Sequence, residues 1–176
     1  MSDRFEIRLP VQIRPCREDD LPALEWFGLQ TDYRDYFAHG YRRQQAGELI
    51  FLVAEANGFP VAKIWIDLGR EPRSAAYLSA LDVMPCLQNL GLGTRLIAAA
   101  EERARAAGRA AVRMTVAQTN ARARRLYERL GYRVVGQERA VYDGHSPDGR
   151  PIHHDEAVWV MEKSLRQGTN CGTVRS

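Results

Sequence analysis

Apolar residues along this chain fall into short blocks, and the spacing inside each block predicts the element it builds. Residues 11–14 alternate and read as a first short strand. Segments 19–30 and 32–46 carry helical spacing, the first capped by Asp19 or Asp20 and the second stopped by Gly47. Within the second, Tyr33, Tyr36, Phe37 and Tyr41 recur at helical intervals as one aromatic stripe, which either packs into the core or lines part of a substrate pocket. Residues 49–55 and 61–68 are β-rich runs joined by Ala56-Asn57-Gly58-Phe59-Pro60, and Asn-Gly is a strong hairpin signal because both residues accept positive φ. A polar loop at 69–74 precedes an apolar run at 78–84. The remainder alternates: helix 94–107, strand 112–116, helix 121–130 between the N-cap Asn120 and Gly131, strand 132–138, and a last strand at 157–162. A turn-rich excursion, Asp143-Gly144-His145-Ser146-Pro147-Asp148-Gly149-Arg150-Pro151, interrupts the end of this series. With no internal repeat, residues 1–165 read as a single domain, and the polar, glycine-containing residues 166–176 as a disordered tail.

The segment between the run 78–84 and the alanine-rich helix is Gln88-Asn89-Leu90-Gly91-Leu92-Gly93. Glycines there remove side chains where backbone N–H groups must approach an anion, and the following helix offers unpaired donors and the positive end of its dipole. A pyrophosphate fits such a turn. Two glycines at a helix entrance also make an ordinary tight turn, so the following segments matter. Val112, Met114 and Val116 share one face of the next strand, with Arg113 and Thr115 on the other; the helix after it places Ala123, Leu126, Tyr127 and Leu130 together.

Composition narrows the class. Of 176 residues, 45% are hydrophobic and 27% charged, the balance of a globular domain large enough for a real core. No stretch reaches the ~20 apolar residues needed to cross a bilayer. Met1 to Arg8 alternates charged and apolar residues without the apolar core of a secretion signal, so a cytoplasmic location is expected, with no membrane partner. A net charge of +3, without basic and aromatic residues interleaved on one surface, argues against nucleic acid as a partner. The arginines at 103–113 and 122–129 read as solvated helix faces that would also suit a polyanionic cofactor. Cys16, Cys86 and Cys171 are odd in number and lack a C-x-x-C pair, as expected of reduced thiols rather than of a disulfide framework or zinc site.

Three linked segments resemble the GNAT superfamily of N-acetyltransferases. Leu81-Asp82-Val83-Met84-Pro85 is similar to that family's splayed strand, Gln88 to Gly93 to its pyrophosphate loop, and Asn120 with Leu126-Tyr127-Glu128-Arg129-Leu130-Gly131-Tyr132 to its closing helix. Val11-Gln12-Ile13-Arg14-Pro15 followed by Glu18-Asp19-Asp20 is similar to its opening. The resemblance implies a mixed α/β (α+β) domain with a mainly antiparallel sheet of about seven strands flanked by four helices. It also implies acetyl-CoA as co-substrate and a primary amine, small molecule or peptide, as acceptor. The loop residues Gln88, Asn89, Leu90, Gly91, Leu92, Gly93 and Thr94 would hold the pyrophosphate, Leu81 to Val83 would pair with the pantetheine arm, and a backbone N–H near Val83 would polarise the thioester. Asn120 would contact the cofactor as well as cap its helix.

For the chemistry, Tyr127 is the candidate proton donor to the departing thiolate, since an ordinary phenol titrates near ~10; spacing alone equally allows a core tyrosine. The resemblance implies a glutamate at position 115 in relatives that acetylate protein N-termini, and this chain has Thr115. Asp82 is then the best carboxylate to receive the amine's proton, unless it is only salt-bridged; Glu25, Asp32 and Asp35 are weaker alternatives. Tyr33, Tyr36, Phe37 and Tyr142 are the candidate acceptor-side residues. His153-His154-Asp155-Glu156 makes a poor metal site, because neighbours on a strand point to opposite faces, and no metal is expected. A non-catalytic acyl-CoA-binding module is the alternative of another class. Dimerisation is left open, with no residue that specifies it.

Overall fold

The computed structural model describes residues 8–70, 72–145 and 151–166, with backbone alone at 142–145 and 151–154. Among the described residues, seven strands form one sheet: β1 (Val11–Pro15), β2 (Leu49–Ala56), β3 (Phe59–Asp67), β4 (Ala75–Val83), β5 (Ala111–Ala117), β6 (Arg133–His145) and β7 (Pro151–Ser164). Their spatial order is β1-β2-β3-β4-β5-β7-β6. Only β4 and β5 run parallel; all other neighbours are antiparallel. The α-helices among the described residues are α1 (Arg34–Gln45), α2 (Leu92–Ala106) and α3 (Ala121–Arg129).

The strands β2 and β3 are near-continuous apolar runs because both faces of the sheet are covered there. Ala62, Ile64 and Ile66 pack on the α2 side with Leu96, Ile97 and Ala100, where alanines allow the helix close to the sheet. Trp65 points the other way, into a second cluster with Leu24, Phe37, Phe51 and Val53. The β2–β3 hairpin turns on Asn57 (φ 50°) and Gly58 (φ 79°), the positive pair that its sequence requires.

The expected helix at 19–30 is a string of short 3-10 turns, Glu18–Asp20 and Ala23–Glu25, that fill the fourth helical position beside the sheet. Local and distant causes combine. Pro22 has no N–H to continue a helical ladder, and Trp26 (φ 46°), Phe27 (φ 57°) and Gly28 (φ 95°) turn left-handed. Tertiary contacts hold that turn: Trp26 Nε1 donates to the Pro60 carbonyl at 2.8 Å, and the Phe27 ring stacks on Phe59 at 5.2 Å. The expected helix at 32–46 divides into a 3-10 turn, Thr31–Tyr33, and α1. The turn-rich excursion at 143–151 also shrinks, because β6 and β7 pair out to His145 and Pro151. The tail lies outside the described residues from 167 onward.

Two polar ties cross the core. Glu101 on α2 accepts from Tyr132 Oη at 2.9 Å and from Lys163 Nζ at 2.7 Å, joining α2, the end of the α3 segment and β7. Arg14 on β1 meets Asp20 through two bonds of 2.6 and 2.8 Å. Burial would raise the Asp20 carboxyl, but the Arg14 guanidinium and the Arg17 N–H outweigh it and hold the carboxyl below its ordinary range. Its stabilisation is therefore present above the unfolded value near ~4 and lost as pH falls through the lower folded value. Urea unfolding between pH 5 and about 2 will show the wild type losing stability more steeply than Asp20→Asn. A second expectation concerns Gly40: a Cβ there would lie 2.1 Å from Trp65 Cζ2 inside the second cluster. Gly40→Ala will lower stability by about 1–3 kcal/mol through overpacking, despite the better helix propensity of alanine, in the same urea assay.

Candidate active site

The site begins with an irregularity in β4. Lys63 of β3 pairs with Asp82 while Trp65 pairs with Ser79, so β4 carries one extra residue in between, and Ala80 takes up the bulge at φ 51°. On its other edge β4 pairs with β5 only from Ala75 to Tyr77. Beyond that point the strands part, leaving a cavity of about 210 Å³ bordered by Leu78, Leu81, Met114, Thr115 and Tyr127.

The chain leaving β4 makes a 3-10 turn, Pro85–Leu87, then passes through Asn89 (φ 65°) to Gly91 (φ 84°), the N-cap of α2. Gly91 is required by that backbone conformation. Gly93 is not: a Cβ there would meet Val83 at an ordinary 3.8 Å, so its effect is to leave the approach open. The helix starts at Leu92, two residues before the position expected from sequence, and its first bond inside the helix runs from Arg95 N to the Gly91 carbonyl at 3.1 Å. The N–H groups of Leu92, Gly93 and Thr94 thus have no acceptor within the helix, the condition under which a helix N-terminus suits an anion.

A groove of about 660 Å³ separates this turn from α3. Leu81, Asp82, Val83, Gln88, Asn89, Gly91, Leu92, Gly93, Thr94 and Asn120 all border it, together with Arg122, Arg125 and Arg129. Asn120 caps α3 as expected, accepting from Ala123 N at 3.0 Å, and Arg122 donates to Asn89 Oδ1. The arginines at 122–129 therefore divide by face: Arg124 pairs with Glu128 and stands over Trp159, while the other three edge the groove. Those at 103–113 serve elsewhere, Arg109 binding the Arg73 and Leu68 carbonyls and Arg113 the Glu162 carboxylate. The Leu90 side chain, 67% exposed, borders a different groove beside β1.

Tyr127 is absent from the groove's border and stands in the smaller cavity, with Leu81 common to both. Its ring meets Tyr132 edge-on at 6.1 Å, and burial pushes its phenol above the ordinary value, so the proton stays on oxygen at neutral pH. Among the described residues its hydroxyl has no hydrogen-bond partner.

Asp82 is held from three directions. Oδ2 accepts from Gln30 Nε2 at 2.6 Å and from Lys63 Nζ at 3.3 Å; Oδ1 accepts from Val83 N at 2.9 Å. For Val83 to polarise a thioester, that carboxylate oxygen must turn aside. Lys63 is 3% exposed, also donates to Gln30 Oε1 at 3.0 Å, and lies under the rings of Trp26 and Phe37 at 4.6 and 4.9 Å. Burial holds its ammonium below the ordinary lysine range, against the opposing pull of Asp82. Sequence reasoning missed Lys63 and Gln30, although a charge inside the apolar run Val61-Ala62-Lys63-Ile64-Trp65-Ile66 was the available signal.

Of the acceptor-side candidates, Phe37 is core, 1% exposed, whereas Tyr33 and Tyr36 keep 42% of their surface. Tyr36 stacks on Trp65 at 4.2 Å. The Tyr142 backbone pairs with His154 in the β6–β7 ladder; both side chains, and His153, lie outside the described atoms. Glu25 is bound to Arg34 at 2.6 and 2.9 Å, which ties up both of its oxygens. Thr115 is an exposed threonine on the cavity rim.

No curated protein matches the chain. Solved structures do. The ribosomal-protein-S18-alanine N-acetyltransferase of Escherichia coli is 24% identical, with a TM-score of 0.68 over 92% of this chain and 98% of that one. YncA of Salmonella typhimurium, solved with acetyl-CoA, is 21% identical, with a TM-score of 0.70 over 90% and 95%. The ribosomal-protein-alanine N-acetyltransferase of Brucella melitensis is 22% identical, with a TM-score of 0.68 over 87% and 99%. At these identities the likeness is one of fold. The sequence itself matches the Acetyltransferase (GNAT) family over residues 13–132. Matched over most of its length, the chain belongs to the GNAT family of acetyltransferases and is an acetyl-CoA-dependent acyltransferase.

Proposed function

We propose that this enzyme transfers the acetyl group of acetyl-CoA directly to a primary amine, with Tyr127 as general acid and Asp82 as the group that meets the amine. The observation that carries the reading is the meeting of two cavities at Leu81, which borders both an anion-suited groove with a positive rim and a cleft between parted strands that holds a protonated tyrosine. The backbone donors of Leu92 to Thr94 and the guanidinium groups of Arg122, Arg125 and Arg129 suit the CoA phosphates. The gap between β4 and β5 suits the extended pantetheine arm, whose amides find strand backbone there. When bound, acetyl-CoA supplies a thioester whose carbonyl carbon takes the amine nitrogen in place of sulfur.

Proton bookkeeping closes on residues of this chain. An ammonium acceptor gives up two protons in becoming an amide. One passes by way of Asp82 to solvent, and the thiolate receives the equivalent of the other from Tyr127, whose phenolate is then reprotonated. Held by three donors, the Asp82 carboxylate is fixed in place to orient the amine. Neither cysteine among the described residues enters the route: Cys16 is buried, its thiol pushed up to about 12, chiefly by desolvation, and Cys86 is exposed on the turn after β4.

Thiol release from acetyl-CoA, measured against peptide N-termini, lysine peptides, polyamines, aminoglycosides and amino acids, tests the reading. Tyr127→Phe will lower kcat by ~10²–10⁴ with acetyl-CoA affinity kept. Because burial raises the phenol, no fall in the wild-type rate from this group is expected below about pH 10. Acetyl-CoA binding without turnover on any amine would instead favour a binding module. Gly91→Val forces a β-branched residue to φ 84° and will weaken acetyl-CoA binding about 10-fold by calorimetry.

A further inference from the structure

The three bonds among Lys63, Gln30 and Asp82 close a ring that joins the β4 carboxylate to the left-handed turn at 26–30. Each member comes from a different part of the chain: Gln30 from the turn that follows Ala23–Glu25, Lys63 from β3 and Asp82 from β4 just past the bulge. The ring is roofed by Trp26, itself anchored to Pro60, and by Phe37 of α1. Asp82 alone of the three carries a charge toward Lys63, and among the described residues no other titratable group touches that ammonium.

A buried lysine needs a reason. Desolvating an ammonium is costly, and a methionine in the same slot would pack against Trp26 and Phe37 without that cost. The lysine makes two bonds that methionine cannot, and both go to groups at the site. The turn they secure has Trp26 and Phe27 at positive φ, a conformation side-chain-bearing residues adopt only when held. Phe27 and Leu29, 89% and 67% exposed, are presented by the same turn, whose Gln30 reaches Asp82.

We propose that Lys63 is a positioning residue for acetyl transfer: by bonding Asp82 and Gln30 together from beneath, it fixes the carboxylate and the 26–30 turn in one arrangement against which the acceptor amine is set. This rests on the reading that Asp82 meets the acceptor. Lys63 itself touches no substrate. Its ammonium has no access to the groove, so the cofactor is expected to bind independently of it.

The test uses the full chain and the variants Lys63→Met, Gln30→Ala and Asp82→Asn, with Lys63→Met also combined with Asp82→Asn. Hydrogen exchange read by mass spectrometry needs no acceptor. Peptides covering 26–33 are expected to exchange at least ~10-fold faster in Lys63→Met and Gln30→Ala, with α2 peptides unchanged. On whichever amine the wild type acetylates, Lys63→Met is expected to lower kcat/KM for the amine by ~10-fold or more, with acetyl-CoA affinity unchanged. The double variant should be no slower than Asp82→Asn alone. Uniformly faster exchange across the domain, or losses that multiply in the double variant, would make Lys63 a fold residue only and overturn the proposal. Gln30→Ala covers the case in which Lys63→Met does not fold: an unchanged 26–33 turn in that variant also overturns it. A wild type that binds acetyl-CoA but acetylates no amine would refute the transferase reading, while the exchange result would still decide the lock.

Discussion

The candidate site of this molecule depends on two neighbouring strands failing to stay paired. β4 and β5 begin as a parallel ladder and separate after Tyr77 and Arg113. A sheet normally suppresses such a gap, because parted strands leave backbone donors and acceptors without partners. Here the extra residue at Ala80 re-aims β4 after its regular pairing with β3, and the cavity beside Tyr127 occupies the space. The unmet hydrogen-bonding capacity of the parted edges is then an asset, since a ligand built of amides can complete the ladder that the protein leaves open.

The parting also organises the two faces. On one face, α2 packs tightly through small residues and begins at the end of β4, so its unpaired N–H groups are set beside the gap. On the other, the 3-10 turns and α1 cover β2 and β3 and bring Gln30 to the exposed end of Asp82. Asp82, on the strand between these layers, borders the groove and accepts from Gln30.

Much of this was readable from residues. The Asn57-Gly58 hairpin, the glycine turn before α2 and the Asn120 cap each follow from a single local requirement, positive φ or an orphan N–H, which is why their places hold in the structure. The sheet and its mixed topology followed from the order of runs together with the resemblance of three linked motifs. What was hidden depends on contacts distant in sequence. The helix expected at 19–30 gives way to turns because Pro60 and Phe59, some thirty positions later, capture Trp26 and Phe27. Spacing could not show that Phe37 would be core while Tyr33 and Tyr36 kept surface, since the stripe is the same either way. Lys63 was passed over because a lysine in an apolar strand has no meaning until its two partners are beside it.

The sheet order carries one more consequence. β7, the last of the described strands in chain order, is an inner strand: it pairs with β5 along one edge and β6 along the other. Until residues 151–164 leave the ribosome, β5 exposes an open edge and β6 has no neighbour at all, so the nascent chain holds two sticky strand edges with the glycine turn already synthesised. Synthesis order therefore makes β7 the strand that joins β5 to β6, and a chain without it would leave β5 open to pairing with other chains.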